Sequence, residues 1–357
     1  MLIIPRGGQN QQSRHEMACQ GSPKRARVAP STEELEQARV APSTEELEQV
    51  ARLAGEDSPV AVANYLRSRP ASKSLLAAHI LFLSAEEGYA SVVPLLLPDV
   101  NPNMADKEGC TAIMYATYRG HAPVVTLLLA DERVNPNMTN QYGFTALMYA
   151  VREGHVPVVT LLLADESVDL NIAKEDGKTA LMLAVLNEHV MVVKLMLADE
   201  RVDRNILDKF GNTALLWAVQ RKSVPMVALL LDDKRVDRNI VAEYGGTAII
   251  FAVRSRNVEM VTMLLADERV NPNMADEQDE TAIAIAVEQG DAPVVALLLR
   301  NQRVTVPMDV QSAILDNIPY FYSWVTPQIS MLLLHRMLPE GHSLSVFLLE
   351  KILSFVQ

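Results

Sequence analysis

Several common features are scarce in this sequence of 357 residues, and each scarcity argues against a class of protein. Aromatic residues make up only 5% of the chain while hydrophobic residues make up 49%, so Ala, Val, Leu and Met must fill the core. Such a core favours closely packed small helices over a sheet enzyme with a deep pocket. Two cysteines cannot form a disulfide framework, and they predict a reduced, cytoplasmic setting. No apolar run approaches the roughly 20 residues of a membrane helix, and the start, MLIIPRGGQNQQ, lacks a signal-peptide core.

Basic residues and catalytic constellations are scarce as well. The chain has 32 Lys and Arg against 44 Asp and Glu, a formal net charge of −12, which disfavours nucleic acid as a partner. No phosphate-binding loop, nucleophile–base set or metal-ligand spacing is present, so we expect a non-enzyme without cofactor, metal or small-molecule substrate. His121, His155 and His189 share one phase, but stacked helices lie roughly 8–10 Å apart, too far for shared zinc bonds of ~2 Å. We predict a structural hydrogen bond for each histidine.

An internal repeat dominates the sequence. A Thr-Ala pair recurs every 34 residues, and its threonines are Thr111, Thr145, Thr179, Thr213, Thr247 and Thr281. In each repeat the threonine is predicted to begin a helix, apolar residues follow at helical spacing, and a glycine such as Gly120 or Gly154 ends the helix. A second apolar run and an Asp-rich turn complete the repeat. Neither helix alone can bury its apolar side, so the repeats are predicted to stack.

The repeats resemble ankyrin repeats, whose pattern runs roughly G-x-T-P-L-H-x-A-A-x-x-G-H-x-x-V-V-x-L-L-L. This resemblance implies an all-α solenoid of stacked helix-turn-helix repeats with short hairpin loops, which binds another protein through its concave face. The chain departs from the pattern at the proline after the threonine, which is alanine as at Ala112, and at the following histidine, which is apolar as at Met114. The period is also one residue longer. We expect the fold to survive with lower stability per repeat.

The predicted organisation has three segments. Residues 1–57 are expected to be a mobile tail, which contains a tandem duplication of 12 residues and a candidate nuclear-import signal, Lys24–Arg27. Residues 307–357 are expected to be a helical cap. The helix from Leu344 resembles a shortened F-box, which leaves open the alternative of a ubiquitin-ligase substrate adaptor, including one delivered into a host cell. The array spans 58–306, with a degenerate cap and repeat at 58–105 and regular repeats at 106–139, 140–173, 174–207, 208–241, 242–275 and 276–306.

The candidate binding residues are those that vary while the framework of the repeat stays fixed. They lie at the hairpin tips and at the solvent ends of the first helices, which line the groove in ankyrin stacks. Tip aromatics are candidate anchors, and a local group of arginines and lysines predicts an acidic segment in the partner. Large apolar residues in the first helices, such as Tyr115, Tyr149 and Trp217, are predicted to pack between repeats. The predicted partner-binding residues are Tyr118, Arg119, Tyr142, Phe144, Arg152, Lys209, Phe210, Arg221, Lys222, Tyr244, Arg254 and Arg256.

Overall fold

A computed structural model of the chain describes residues 44–55, 58–69, 73–243 and 245–316. The regular structure of these residues is helical, apart from isolated bridges within hairpin turns. They belong to two compact units, of which the amino-terminal unit ends at Asp203 and the carboxy-terminal unit begins at Arg204. The predicted all-α repeat fold is confirmed.

The amino-terminal unit contains two rows of helices. The first helices of successive repeats, α3, α5, α7 and α9, pack side by side, and the second helices α4, α6, α8 and α10 form the row behind them. Ala, Leu, Met and Val side chains fill the space between the rows, as at Leu147, Met148 and Val159. The helices are α1 (Thr44–Gly55), α2 (Pro59–Arg67), α3 (Lys73–Glu87), α4 (Val93–Leu96), α5 (Ala112–Arg119), α6 (Ala122–Leu129), α7 (Ala146–Glu153), α8 (Val156–Ala164), α9 (Ala180–Leu186) and α10 (Val190–Ala198).

Helix α1 lies inside the segment that the sequence predicts to be mobile. The Glu46 carboxylate accepts a hydrogen bond from Arg69 Nε at 2.9 Å, and the Tyr65 hydroxyl donates to the Glu46 carbonyl at 3.4 Å. The helix also packs against α3. The segment that the sequence predicts to be a mobile tail therefore includes, at residues 44–55, a helix with contacts to the array. The rest of that tail lies outside the described residues.

The carboxy-terminal unit repeats the two-row arrangement. Its first helices α11, α13 and α15 pack side by side, α17 packs against α15, and α12, α14 and α16 form the second row. Residues after 316 lie outside the described part of the chain, and so does the helix from Leu344 that resembles an F-box. The helices are α11 (Ala214–Gln220), α12 (Val224–Asp232), α13 (Ala248–Arg254), α14 (Val258–Ala266), α15 (Ala282–Glu288), α16 (Ala292–Arg300) and α17 (Met308–Asp316).

The predicted helix signals hold at most repeats. The Thr145 hydroxyl accepts a hydrogen bond from Met148 N at 3.2 Å, and Thr179, Thr213 and Thr281 cap their helices in the same way. The prediction is wrong for the hydroxyls of Thr111 and Thr247, which are buried without a hydrogen-bond partner. Gly120 and Gly154 end their helices in the left-handed conformation, with φ of 80° and 75°. The first helix of a repeat is therefore delimited by local signals that the sequence displays.

The three recurring histidines connect neighbouring repeats. His121 Nε2 lies 2.9 Å from the Glu86 carbonyl oxygen, and His155 Nε2 lies 2.9 Å from the Tyr118 carbonyl oxygen. His189 bonds to the preceding repeat in the same way. A Cβ atom added to Gly120 would stand 2.8 Å from Nδ1 of His155, so the imidazole ring packs directly on the glycine. The predicted structural hydrogen bonds are confirmed.

Asparagine side chains form a ladder between successive repeats. Asn137 Nδ2 donates to the Ser167 carbonyl at 2.7 Å, and Asn137 Oδ1 accepts from Asp169 N at 2.8 Å. Each such amide satisfies one donor and one acceptor of the loop in the next repeat. The same pair of bonds recurs at Asn103 and Asn171 in the amino-terminal unit and at Asn205, Asn239 and Asn273 in the carboxy-terminal unit.

A buried ion pair joins two repeats of the carboxy-terminal unit. Arg238 is 3% exposed, and its Nε lies 3.0 Å from Asp267 Oδ2, while its Nη2 donates to the Leu231 carbonyl at 2.7 Å. Asp267 also binds Arg269 at 2.8 Å. Burial raises the pKa of Asp267, but the hydrogen bonds from the two arginines outweigh burial and lower this pKa to about 2. At the same phase the amino-terminal unit has buried Leu170.

Candidate functional site

In several repeats, a polar side chain just before the hairpin tip bonds both to the backbone of the tip and to the first helix of the same repeat. Asp208 Oδ1 accepts from Phe210 N at 2.9 Å and from Asn212 N at 2.8 Å, while its Oδ2 accepts from Trp217 Nε1 at 2.9 Å. Asp106 makes the equivalent bonds, with the Tyr115 hydroxyl donating at 2.6 Å, and Asn140 Nδ2 donates to the Tyr149 hydroxyl at 2.8 Å. Hydrogen bonds within the chain therefore hold these tips in place.

Two aromatic residues of the first helices, Tyr115 and Tyr149, pack against rings of the preceding repeat, as the sequence predicts, and they also have a second role. Tyr115 is 8% exposed and Tyr149 is 1% exposed, so neither ring offers a recognition surface. Burial raises the pKa of Tyr149 to about 12. Burial, together with the neighbouring Asp106 carboxylate, raises the pKa of Tyr115 as well. Both hydroxyls stay protonated near neutral pH and remain available to position the hairpin turns.

An aromatic cluster in the amino-terminal unit contains three of the predicted binding residues. The Arg152 guanidinium lies 5.7 Å from the centre of the Tyr118 ring and 5.2 Å from that of Phe144, within cation–π range. Tyr118 is half-buried and meets the Tyr149 ring edge-on at 5.8 Å. The prediction that Phe144 contacts a partner is wrong, because this ring is 1% exposed and stacks on Tyr149 at 5.1 Å.

Two further predicted residues of the amino-terminal unit reach its surface. Arg119 is exposed at the end of α5 and pairs with Glu86 at 2.8 Å, so part of its charge is neutralised within the chain. Tyr142 is half-buried at a hairpin tip, where its backbone N donates to Asn140 Oδ1 at 3.0 Å. Tyr118 and Tyr142 thus supply partly exposed rings in this unit, and Arg119 supplies a partly neutralised cation.

The hairpin tip of the first repeat in the carboxy-terminal unit is open. Lys209 is exposed and Phe210 is 44% exposed, although hydrogen bonds from Phe210 N and Asn212 N to Asp208 hold the backbone of this tip. The Phe210 carbonyl accepts from Glu243 N of the next tip at 3.0 Å, so the two tips are held edge to edge. Tyr244, the remaining predicted tip aromatic, lies outside the described residues.

The four predicted basic residues do not form one free patch. Arg254 donates to the Asp276 carboxylate, which is completely buried, and Arg256 donates to the Gln289 carbonyl at 2.9 Å. The interpretation of Arg254 as an available positive charge is wrong, because this guanidinium neutralises a buried acid of the next repeat. Arg221 and Lys222 are exposed at the end of α11, and they remain the basic part of the candidate surface.

Lys222 and Arg256 stand at the phase of Gly120 and Gly154, and their backbones are left-handed, as is that of Glu188 at the same phase. Lys222 has φ of 57° and Arg256 has φ of 53°, against 80° at Gly120. A residue with a Cβ atom in this conformation loses about 1–2 kcal/mol relative to the right-handed one. Backbone strain of this kind concentrates at functional sites. Both positions therefore carry a basic side chain at a cost in stability.

Two exposed apolar residues escaped sequence reasoning. Leu207 is 48% exposed and Val241 is 41% exposed, and they occupy the same phase of neighbouring repeats, just before a hairpin turn. The sequence does contain a signal for them, which is their larger size relative to the residues at this phase in the other repeats. Those residues are Ala105, Thr139, Ala173 and Ala275.

Clusters of metal-ligating side chains and membrane-spanning helices are both missing from the part of the chain that the structure describes. Within residues 44–55, 58–69, 73–243 and 245–316, no group of three or more His, Cys, Asp or Glu side chains could hold a metal ion. The same residues include no helix that is both long enough and apolar enough to span a bilayer.

Comparison with known proteins identifies the family. The family model described as "Ankyrin repeats (3 copies)" matches residues 81–174, 166–240 and 234–308, which is more than half of the chain. The crystal structure of EF0377, an ankyrin repeat protein, is similar with 22% sequence identity and a TM-score of 0.49, over 53% of this chain and 97% of that one. No curated protein matches the sequence.

The chain belongs to the ankyrin-repeat family. Ankyrin repeats are generally non-catalytic modules of protein–protein interaction, so a protein partner is the expectation for this chain. The stacked helices and anchored hairpins supply the rigid framework that such modules use, with the variable side chains on the tips and helix ends.

Proposed function

We propose that this chain is a non-catalytic scaffold, which binds a partner protein through the face that the hairpin tips and first-helix ends form, the concave face of ankyrin stacks. In the carboxy-terminal unit the contact residues are Lys209, Phe210, Arg221 and Lys222, and their charge fits an acidic segment of the partner. In the amino-terminal unit Tyr118, Arg119 and Tyr142 occupy the corresponding positions.

The observation that carries this proposal is the pair of exposed cations Arg221 and Lys222 at the end of α11, of which Lys222 stands on a strained backbone. Its side chain is exposed, so it adds little to the packing of the core, while its left-handed backbone, with φ of 57°, costs stability. Glycine would fit this position without strain. Glu188 has the same strain, so the positive charge of Lys222 next to exposed Arg221, and not the strain alone, supports a role in binding. Positive charge at an interface mainly raises the association rate and the selectivity for acidic partners.

The test first selects peptides that bind the parent chain from a displayed library of random peptides. The affinity of the selected peptides is then compared between the parent chain and the full-length Lys222→Gly variant. We expect Lys222→Gly to raise the free energy of unfolding by about 1 kcal/mol, because it relieves the strain. The same change should weaken binding of the selected peptides, more strongly at low salt than at high salt.

Glu188→Gly is the matched control, because Glu188 has the same phase and a φ of 58° but carries a negative charge. It should stabilise the fold equally and leave peptide binding unchanged. Equal affinity of Lys222→Gly and the parent chain, or a selection that enriches no peptide, would contradict the proposal.

A further inference from the structure

We propose that Leu207, Phe210 and Val241 form an apolar strip on the carboxy-terminal unit, which docks an extended segment of a partner protein containing apolar side chains flanked by carboxylates. This inference rests on the proposed protein-binding function and specifies the chemistry of the partner at one place on the surface. The strip is defined by these three residues.

The exposure of the strip is concentrated in two neighbouring repeats. The exposed fractions are 48% for Leu207, 44% for Phe210 and 41% for Val241. Single exposed apolar side chains are common on protein surfaces, whereas a group of them marks an interaction site. The other repeats carry alanine or threonine at the phase of Leu207 and Val241. Leu207 and Val241 are larger than the alanine or threonine of the other repeats, yet they are exposed and so do not improve the packing of the repeat. Their size therefore indicates a binding surface particular to these two repeats.

The backbone under the strip is held rigidly. Asp208 accepts two hydrogen bonds from the backbone of the tip that carries Phe210, and one from Trp217 of α11. The bond from Glu243 N to the Phe210 carbonyl then connects this tip to the next hairpin, the one that follows Val241. A partner that covers the strip therefore meets an ordered surface and pays little additional ordering entropy.

Positive charge borders the strip on the side of α11. Lys209 precedes Phe210 in the same tip, and Gln220 Nε2 donates to Asn212 Oδ1 at 2.7 Å, which ties the end of α11 to this hairpin. The residue that follows Gln220 is Arg221, and Arg221 and Lys222 are both exposed. Carboxylates beside the apolar anchors of a ligand would meet these cations, so charge complementarity selects an acidic apolar segment as the occupant.

The spacing of the strip favours an extended ligand. Leu207 and Val241 belong to adjacent repeats, and packed helices lie roughly 8–10 Å apart. A polyproline-type segment rises about 3.1 Å per residue with three residues per turn, so apolar side chains three positions apart share one face at about 9 Å. The expected ligand therefore has two apolar residues separated by two others, with Asp or Glu among the intervening and flanking positions.

The test uses the full chain and a displayed library of random 12-residue peptides, followed by fluorescence anisotropy with the enriched peptides. We expect enrichment of the apolar-x-x-apolar spacing with carboxylates. Phe210→Ala and Leu207→Ala should each weaken binding by about tenfold or more, as for buried anchors of an interface. Their thermal unfolding should stay close to that of the parent chain, because both side chains are exposed. Met191→Ala is the control, because Met191 is an apolar side chain with 55% exposure on α10.

Three outcomes would overturn the strip as a peptide site. If enriched peptides bind the Leu207→Ala/Phe210→Ala variant normally but lose affinity for Lys222→Gly, the strip is refuted while the proposed function stands. If no peptide binds and the chain instead self-associates in a way that Phe210→Ala abolishes, the occupant is a second copy of this chain. Enriched peptides that lack carboxylates would refute the inferred partner chemistry.

Discussion

The asparagine ladder gives the sharpest prediction about stability. In Asn137→Ala the chain loses both the bond to the Ser167 carbonyl, at 2.7 Å, and the bond from Asp169 N, at 2.8 Å. A neutral hydrogen bond contributes about 0.5–1.5 kcal/mol net, so the two together amount to about 1–3 kcal/mol. The site is only half-buried, and water can satisfy part of what is left unpaired. We therefore expect a loss of about 2 kcal/mol.

Asn135 supplies a matched control in the same loop. Its Oδ1 accepts one hydrogen bond, from Asn137 N at 3.0 Å, and within the described residues its side chain makes no hydrogen bond across the repeat boundary. Asn135→Ala should cost about 1 kcal/mol or less. Asn137→Asp keeps an acceptor for Asp169 N but turns a carboxylate oxygen towards the Ser167 carbonyl, so it should cost at least as much as Asn137→Ala.

Urea unfolding followed by far-ultraviolet circular dichroism measures these differences. Because repeat arrays are stabilised by nearest-neighbour interfaces, Asn137→Ala should also increase amide hydrogen exchange in the loop of residues 167–171, while Asn135→Ala leaves it nearly unchanged. If Asn137→Ala costs no more than Asn135→Ala, the bonds between repeats contribute no more than a local turn bond, and the account of the ladder is refuted.

Two further predictions concern contacts between repeats. Gly120→Ala should lower the free energy of unfolding by about 2–3 kcal/mol, because it strains the left-handed backbone and clashes with the His155 ring. In a His155→Ala background the clash is removed, so the substitution should cost only the backbone strain. Equal costs in both backgrounds would exclude the clash. Arg238→Leu, which copies Leu170, should change stability by less than about 1 kcal/mol, whereas Asp267→Ala should cost about 3 kcal/mol because it leaves a buried guanidinium without its carboxylate. The pKa of Asp267 is lowered to about 2 in the fold, below the unfolded value of about 3.9, so its stabilisation is complete above that value and disappears as the pH falls towards 2. Acid titration of the parent chain should show this loss, and Asp267→Ala should lack it.

The sequence predicts the helices and their pairing into repeats well, because the same capping and periodicity signals recur in each repeat. Thr145, Gly154 and the apolar residues between them mark one helix by capping and periodicity, and a period of 34 residues then places the next copy. The histidine bonds follow in the same way, from spacing and the distance between packed helices.

The residues of the candidate surface are harder to predict from the sequence, because the solvent exposure of a side chain depends on neighbours that are distant in the sequence. Phe144 follows a hairpin tip and yet stacks on Tyr149, while Arg254 ends a helix and yet binds a carboxylate 22 residues away. In the sequence Leu207 and Val241 resemble core residues, but in the structure both side chains are exposed to solvent.

Repetition of short local signals was sufficient, from the sequence alone, to determine an all-α array of ankyrin repeats, because capping, helical period and stacking act within a repeat and its copy. Tertiary structure decided which side chains of that array meet solvent, which charges are neutralised within the chain, and which backbones are strained. The physical reason is that burial and ion pairing depend on atoms brought together from adjacent repeats, whereas the caps and periods depend only on residues a few positions apart.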